Sequence, residues 1–301
     1  MKTYSFREIE NCEMCNDSAQ KHKVLGQRLD KTQGLRPKKL FGISVSVMRC
    51  SNCSLIYSNP QPIPESIQDH YSTPPEEYWK EEYFQWEPNY FSQQIEQAKK
   101  LISFKNKMKA LDIGAGLGKS MMSLEKAGFD TFGFEPSEAF YERAISEMKI
   151  DSKKLSLGAI EDISFEENQF DFITFGAVFE HLYEPAKCLE KAMKWLKPNG
   201  VIHIEVPSSK WLLSSVYNFY YLMIRTNYVT NLSPMHVPYH LYEFDIKSFK
   251  LLGEQLNFKI EKHHYDVCSI FFLPKIFHPI LRWYMRKTNR GLQLTVFLQK
   301  N

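Results

Sequence analysis

A glycine-rich turn between a predicted strand and a predicted helix constrains the fold of this chain more than any other feature. The short apolar segment Lys109–Ile113 leads into Gly114-Ala-Gly-Leu-Gly118, and Lys119–Ala127 then has the pattern of a helix. Strands and helices continue to alternate after the turn, as in α/β domains built on a parallel sheet. We therefore predict an α/β fold with a Rossmann-like sheet and helices on both faces.

The acidic residues around this turn indicate what it binds. Glycines allow the backbone to approach a ligand without interference from a Cβ atom. Asp112 directly precedes the turn. A carboxylate there would repel a pyrophosphate but suits a cationic cofactor, such as a sulfonium with an amino group. The next predicted strand, Thr131–Glu135, ends at a carboxylate that can accept hydrogen bonds from two ribose hydroxyls.

Residues 111–120, Leu-Asp-Ile-Gly-Ala-Gly-Leu-Gly-Lys-Ser, resemble motif I of the class I S-adenosylmethionine-dependent methyltransferases. Segments 158–163, 170–175 and 196–200 resemble later parts of the same family, and the resemblance covers residues 105–301. It implies S-adenosyl-L-methionine as the cofactor. The residues implied to bind it are Asp112, Gly114, Ala115, Gly116, Gly118, Glu135, Pro136, Ile160, Glu161 and Phe175.

One position departs from the family pattern. Many relatives carry Asp or Asn after the glycine at 158, where this chain has Ala159. Contacts to adenine would then come from the backbone and from Ile160 and Glu161. The alternative is that Glu161 and Asp162 belong to a solvated loop.

Four of the six cysteines form two pairs, Cys12-x-x-Cys15 and Cys50-x-x-Cys53. Two such knuckles supply the four sulfur ligands of a structural Zn²⁺. Residues 42–48 alternate like a strand, so we predict a zinc ribbon over residues 1–65, with a redox dithiol as the alternative. A loop is expected at Lys21–Lys39, and its basic residues either form a solvated face or contact a phosphate-bearing substrate.

A second segment, residues 66–107, is predicted to connect the ribbon to the methyltransferase-like part at 108–301. Three prolines at 60–64 predict an irregular, rigid connector, and the aromatic residues that follow either cover the cofactor or pack between domains. A helix is predicted at Gln93–Lys107. An aromatic insertion at 208–242 either covers the acceptor or forms a helical cap with its own core.

The combination of ribbon and methyltransferase core is similar to bacterial sugar C-methyltransferases. In that group, the His of a His-Leu-x-x-Phe segment looks like the base that removes a proton from the acceptor. The resemblance implies that His240 has this role here. His181 and His236 are further candidates for the catalytic base. The alternative is that this histidine only holds its loop.

These features lead us to expect a methyltransferase acting on a small-molecule acceptor. The acceptor class is a sugar or sugar nucleotide of a surface-polysaccharide or secondary-metabolite pathway. Two alternatives are an RNA-modifying enzyme that uses the basic ribbon and an enzyme with a lipid-linked acceptor. A non-catalytic adaptor is disfavoured by the intact glycine turn. RNA is the less favoured partner, and the pattern does not indicate an oligomeric state.

The net charge and the targeting signals indicate which partners and which cellular location to expect. The chain has 38 Lys and Arg against 35 Asp and Glu, which argues against a DNA-binding protein. The N-terminus lacks the apolar stretch of a signal peptide, so we expect a cytoplasmic location and reduced cysteines. The apolar and basic segment 271–287 either rests on an anionic membrane surface or packs as a helix over the sheet.

Overall fold

The computed structural model describes residues 4–29, 43–66, 68, 85–232, 239–267 and 274–300. The N-terminal part is built from five short strands that surround the four paired cysteines. They are β1 (Tyr4–Arg7), β2 (Lys23–Leu29), β3 (Ser44–Arg49), β4 (Ile56–Asn59) and β5 (Gln61–Pro64). Strand β3 pairs antiparallel with both β2 and β4, and β1 pairs antiparallel with β5.

Two predictions for this part are wrong. Lys23–Leu29 is a strand paired with β3 rather than part of a loop. Gln61–Pro64 is also a strand, although the prolines predicted irregular structure. Proline is tolerated on an edge strand because the side without a partner needs no N–H donor. The rest of the predicted basic loop, including Lys31, Arg36 and Lys38, lies outside the described residues.

The C-terminal part is organised around one seven-stranded sheet in the order β12-β13-β10-β9-β6-β7-β8. Strands β6 to β10 run parallel, and β13 is antiparallel to β10 and β12. The predicted Rossmann-like sheet is therefore confirmed. The seven strands of this sheet are β6 (Lys109–Ile113), β7 (Asp130–Glu135), β8 (Leu155–Leu157), β9 (Phe170–Gly176), β10 (Leu196–Pro207), β12 (Phe258–Asp266) and β13 (Gln293–Lys300). A further short strand, β11 (Tyr242–Glu243), lies outside it.

Helices flank this sheet. They are α1 (Ser92–Leu101), α2 (Lys119–Lys126), α3 (Glu138–Ser146), α4 (Pro185–Trp195), α5 (Leu212–Met223), α6 (Ile246–Leu256) and α7 (His278–Thr288). The helix predicted at Gln93–Lys107 is shorter than expected, because it ends at Leu101. Asp245 caps α6 and accepts a hydrogen bond from the Lys247 N–H at 2.9 Å.

Strand β9 shows why the sheet forms where it does. Its residues from Phe170 to Phe175 are all buried, as expected for a central strand covered on both faces. Asp171 is the charged exception, and its carboxylate accepts hydrogen bonds from the Lys109 N–H (2.8 Å) and Lys197 Nζ (2.7 Å). Pairing of this kind offsets the cost of placing a charge next to the core.

The N-terminal part packs directly on the insertion at 208–242. Strand β11 pairs antiparallel with β4, so both parts of the chain share a four-stranded sheet, β11-β4-β3-β2. Gln61 Nε2 donates to the Tyr242 hydroxyl at 2.7 Å, and Arg7 Nη2 donates to the Tyr183 carbonyl at 2.6 Å. These contacts hold the end of the insertion, and with it His240, against the main sheet.

Candidate functional site

The glycine turn has the geometry needed for close approach of a ligand. Gly114 and Gly116 have φ values of +67° and +55°, in the left-handed region that favours glycine. A Cβ atom on Gly114 would lie 2.6 Å from Val178 Cγ2. A Cβ atom on Gly116 would meet no described atom within 4 Å, so this residue borders open space. The turn therefore leaves room for a ligand above Gly116.

Two buried carboxylates lie at the glycine turn. Glu135 accepts hydrogen bonds from the Gly116 N–H (2.7 Å) and the Ser137 N–H (2.8 Å). Asp112 is 3% exposed, and its Oδ2 has no hydrogen-bond partner among the described residues. Burial raises the pKa of Asp112 to about 8, with a further contribution from Glu135. Burial also raises the pKa of Glu135 to about 7, against the lowering effect of the two N–H donors.

A cleft opens at the carboxyl ends of β6 and β7, where ligands bind in sheets of this type. Its lining includes predicted cofactor-binding residues together with others: Pro64, Ile113, Gly114, Phe134, Pro136, Ala159, Ile160, Glu161, Val178, His181, Leu182 and Tyr183. Lys191 Nζ donates to the carbonyls of Ile160 and Glu161, both at 2.9 Å. This lysine fixes the backbone of the segment expected to face adenine.

Other predicted cofactor-binding residues lie behind this surface. Phe175 is completely buried and packs edge-on against Phe179, with ring centroids 5.5 Å apart. Ala115 is nearly buried in a small apolar cluster between α2 and α3. A Cβ atom on Gly118 would lie 2.6 Å from Ile150 Cγ1. These residues shape the turn from below.

Glu180, His181 and His240 come together next to the cleft. One nitrogen or oxygen from each side chain lies within 4.8 Å of the others. The two imidazole rings meet edge to face, with centroids 4.8 Å apart. His181 Nδ1 lies 2.8 Å from the Tyr239 carbonyl, which can only accept, so Nδ1 carries the proton and Nε2 of the neutral ring is a base.

Glu180 is the most deeply buried member of this group, which we call the histidine cluster (Glu180, His181 and His240). Its Oε2 has no hydrogen-bond partner among the described residues, and burial raises the pKa of its carboxyl group to about 8. The Leu241 N–H donates to the Glu180 carbonyl at 2.8 Å, which ties the two histidine-bearing segments together. The cluster can accept a proton close to the cofactor cleft.

The connecting segment runs along the start of α2. Trp86 Nε1 donates to Ser123 Oγ at 3.0 Å, and Lys119 Nζ lies 5.4 Å from the centre of the Tyr90 ring. Burial raises the pKa of Tyr90, and the nearby Asp112 carboxylate raises it further. The described end of the segment thus reaches the cofactor side of the sheet. Five more of its aromatic residues, Tyr71, Tyr78, Trp79, Tyr83 and Phe84, lie outside the described residues.

The four paired cysteines form one compact cluster. All four sulfur atoms lie within 4.8 Å of one another, with 3.4 Å between Cys12 and Cys53 and 3.6 Å between Cys15 and Cys50. Four sulfurs around one tetrahedral Zn²⁺, each bonded at ~2.3 Å, would lie about 3.8 Å apart. The arrangement therefore fits a single tetrahedral metal ion.

Sequence reasoning missed part of the cleft. Pro64 and Val178 line it, although neither follows a recognisable motif. Glu180 did carry a signal, because it directly precedes His181 after a predicted strand. His236 and Cys268 lie outside the described residues. Cys188 is buried in α4, as a small core residue would be.

Curated relatives share only part of their length with this chain. It is 27% identical over 108 residues to the ubiquinone biosynthesis O-methyltransferase of Bradyrhizobium diazoefficiens, covering 35% of this chain and 42% of that protein. It is 27% identical over 103 residues to an uncharacterized methyltransferase of Schizosaccharomyces pombe, covering 31% and 37%. The chain thus spans less than half the length of these two relatives.

Solved structures and a family model also match this chain. A methyltransferase from Methanosarcina mazei matches with a TM-score of 0.48 and 16% identity, over 65% of this chain and 94% of that chain. One from Archaeoglobus fulgidus matches with a TM-score of 0.46 and 17% identity, over 73% and 97%. The model of a family described as a methyltransferase domain matches residues 84–263. Because that match covers more than half of the chain, this protein belongs to the methyltransferase domain family.

Proposed function

We propose that this protein is an S-adenosylmethionine-dependent methyltransferase that acts on a small-molecule acceptor, and that the acceptor is a sugar or sugar nucleotide. The observation that carries the proposal is the pair of buried carboxylates at the glycine turn: Asp112 directly precedes the turn, and Glu135 accepts a hydrogen bond from the Gly116 N–H within it. The histidine cluster, whose His181 lines the adjoining cleft, adds a group that can accept a proton.

The residues of the glycine turn and of the adjoining cleft suit a cationic cofactor that contains a ribose. S-adenosylmethionine supplies an electrophilic methyl group on a positively charged sulfur. Asp112 Oδ2, which has no hydrogen-bond partner in the described part of the chain, can carry a negative charge where a cation would offset the cost of burial. Glu135 has the remaining lone pairs to accept ribose hydroxyls in addition to its two backbone donors. Pro136, Ile160 and Glu161 would enclose the adenine side.

On the acceptor side, His240 is proposed to take up the proton that a carbon or hydroxyl group loses when it attacks the methyl carbon. Imidazole suits this role because its ordinary pKa lies close to neutrality. His181 would orient His240, since the two rings are in contact. Positioning of the acceptor in line with the methyl group would supply a large part of the rate.

The sugar acceptor is supported by the segment around His240. In His240-Leu-Tyr-Glu-Phe244, the apolar residues Leu241, Tyr242 and Phe244 are buried. They fasten the segment to the core, so that the histidine is held beside Glu180. The segment also resembles the His-Leu-x-x-Phe segment of sugar C-methyltransferases, in which the His looks like the proton-abstracting base.

The proposal is tested by turnover with S-adenosylmethionine labelled on the methyl group, against a panel of nucleotide sugars and, separately, lipid extracts and RNA. We expect label in at least one nucleotide sugar. Label only in RNA or only in lipid would replace the sugar with that acceptor class. No cofactor binding by calorimetry would contradict the activity itself.

Cofactor affinity is expected to rise as the pH increases up to about 8, the raised pKa of Asp112. Below their raised pKa values of about 8 and about 7, Asp112 and Glu135 hold protons in the ligand-free protein. A bound cation favours the ionised carboxylates, so binding releases protons and strengthens as the pH rises. Calorimetry in two buffers with different ionisation enthalpies measures this release. Asp112→Asn should flatten the pH dependence, and a wild-type affinity that does not change over this range would contradict the assignment.

We further propose that the four-cysteine cluster holds one structural zinc ion. The support is the sulfur spacing, which fits four Zn–S bonds and leaves no position for a reacting water. The ion would join the two knuckles that precede β2 and β4 and so stabilise the face on which the insertion packs.

Zinc removal is expected to unfold the N-terminal part, because structural zinc contributes on the order of 10 kcal/mol in small domains. Freshly purified protein should contain one zinc per chain by elemental analysis. Cys12→Ser should lose the metal and lower the melting temperature, while Cys188→Ser, which removes a buried thiol elsewhere, should keep it. Clearly less than one zinc per chain in the wild-type protein would contradict the proposal.

A further inference from the structure

Two helices outside the cleft present large apolar side chains to solvent. On α5, Phe219 is 63% exposed, Leu222 67% and Met223 66%. On and just before α7, Ile276 is 78% exposed and Trp283 60%. Isolated exposed apolar residues are common, but several large ones on two adjacent helices form a surface that is typical of an interaction site.

The two helices are fastened to each other, so this exposure is a property of the folded chain. Leu213 of α5 and Met285 of α7 are buried in the same small apolar cluster. The Leu212 N–H donates to the Arg290 carbonyl at 3.1 Å, and Arg290 Nη2 donates to Ser215 Oγ at 3.2 Å. The inward-facing residues of the two helices therefore pack together, whereas the outward-facing apolar residues remain exposed.

The charged side chains that belong to this surface are all basic. Residues 274–292 contain five Lys or Arg and no Asp or Glu, and α5 has no acidic residue either. Lys275, Arg282, Arg286 and Lys287 line a shallow depression together with Trp283. The nearby Asp266 carboxylate is already engaged by His264 (3.1 Å) and Thr295 (3.2 Å). The surface thus combines an apolar face with a positive rim.

We propose that α5 and α7 dock this protein on the surface of a bilayer that contains anionic lipids. Apolar and aromatic side chains next to Lys and Arg are the composition of helices that lie in the lipid interface. Anionic headgroups attract such basic residues. A second copy of this chain fits less well, because the same face would bring five positive charges against five.

The docking is peripheral. Among the described residues, no helix is long and apolar enough to cross a membrane. Helix α5 leaves the sheet directly after β10, and the same insertion carries His240 near its other end, so a docked α5 would hold the proposed active site near the lipid surface. That last step rests on the proposed function and would suit a sugar acceptor that is carried on a lipid, whereas the docking itself does not depend on catalysis.

The test is co-sedimentation of the full chain, without cofactor, with vesicles of phosphatidylcholine alone or mixed with phosphatidylglycerol. We expect binding to the mixed vesicles that weakens as salt is added. The triple variant Arg282→Glu, Arg286→Glu, Lys287→Glu should bind the mixed vesicles at least about tenfold more weakly, because each basic residue near an anionic surface adds to the free energy of membrane binding. Phe219→Ser with Trp283→Ser should also weaken binding.

A matched control reverses the charge of three lysines that precede β6 and β8: Lys105→Glu, Lys107→Glu, Lys153→Glu. These lysines lie where the parallel strands begin, whereas α5 follows the carboxyl end of β10. It should bind vesicles nearly as well as the wild type, and calorimetry should show unchanged cofactor affinity in both triple variants. Equal loss in the two triple variants, or no sedimentation of the wild type, would overturn the proposal. So would a lipid-free dimer by analytical ultracentrifugation that Phe219→Ser with Trp283→Ser abolishes.

Discussion

Replacement of Glu135 with alanine is expected to weaken S-adenosylmethionine binding on the order of 100-fold. The proposed role of this carboxylate is to accept hydrogen bonds from two ribose hydroxyls. Hydrogen bonds to a charged group contribute about 1.5–3 kcal/mol each, and each ~1.4 kcal/mol changes the affinity tenfold. Glu135 also accepts from the Gly116 N–H, so its loss loosens the turn that the cofactor must contact. Calorimetric titration measures the effect.

The matched control for this variant is Glu138→Ala. Glu138 lies three residues away in the first turn of α3 and is exposed. Its replacement therefore removes one carboxylate, as Glu135→Ala does, but leaves the cleft unchanged. We expect its cofactor affinity to match that of the wild type. Thermal unfolding of both variants separates lost contacts from lost folding. If folded Glu135→Ala binds the cofactor as tightly as the wild type does, the ribose assignment is wrong.

Replacement of His240 with glutamine is expected to lower kcat by about 10²–10⁴-fold, the usual contribution of a positioned general base. Cofactor affinity should stay nearly unchanged, because His240 adjoins the acceptor side of the cleft. Single-turnover measurements with the labelled cofactor and an accepted substrate test this. The loss should be smaller at high pH if the acceptor can ionise without assistance.

Two further histidine variants define the role of His240. His181→Gln should lower kcat less, and shift its pH profile, because His181 is proposed to orient the base rather than to act as the base. His263→Gln changes an exposed histidine on β12 and should leave kcat unchanged. A larger loss in His181→Gln than in His240→Gln would transfer the role of base to His181. Full activity of His240→Gln would leave it the role of holding its loop.

The sequence was most informative where function depends on neighbouring residues. Strand β6, the glycine turn and α2 follow one another directly, so the apolar pattern and the three glycines predicted the turn and its fold. The ends of β6 and β7 placed Asp112 and Glu135 at one edge, because parallel strands end on the same side of a sheet. The spacing within each cysteine pair predicted a knuckle for the same local reason.

Features that depend on distant pairing were not predictable in this way. The prolines at 60–64 predicted irregular structure, yet β5 forms because β1 supplies a partner on one side. Burial of Glu180 and contact between His181 and His240 depend on β11 pairing with β4, far away in sequence. The apolar residues of α5 predicted either a cover for the acceptor or a cap with its own core, whereas most of them face solvent.

The sequence by itself thus determined the α/β class, the cofactor turn and the gathering of cysteines within each knuckle, because contacts between near neighbours follow from spacing and periodicity. Only the tertiary structure decided which surfaces meet. It brought Glu180 to His240, carried Pro64 into the cleft and left the apolar face of α5 and α7 uncovered. Those outcomes depend on packing between segments far apart in the chain, where the hydrophobic pattern specifies that a face is apolar but not what covers it.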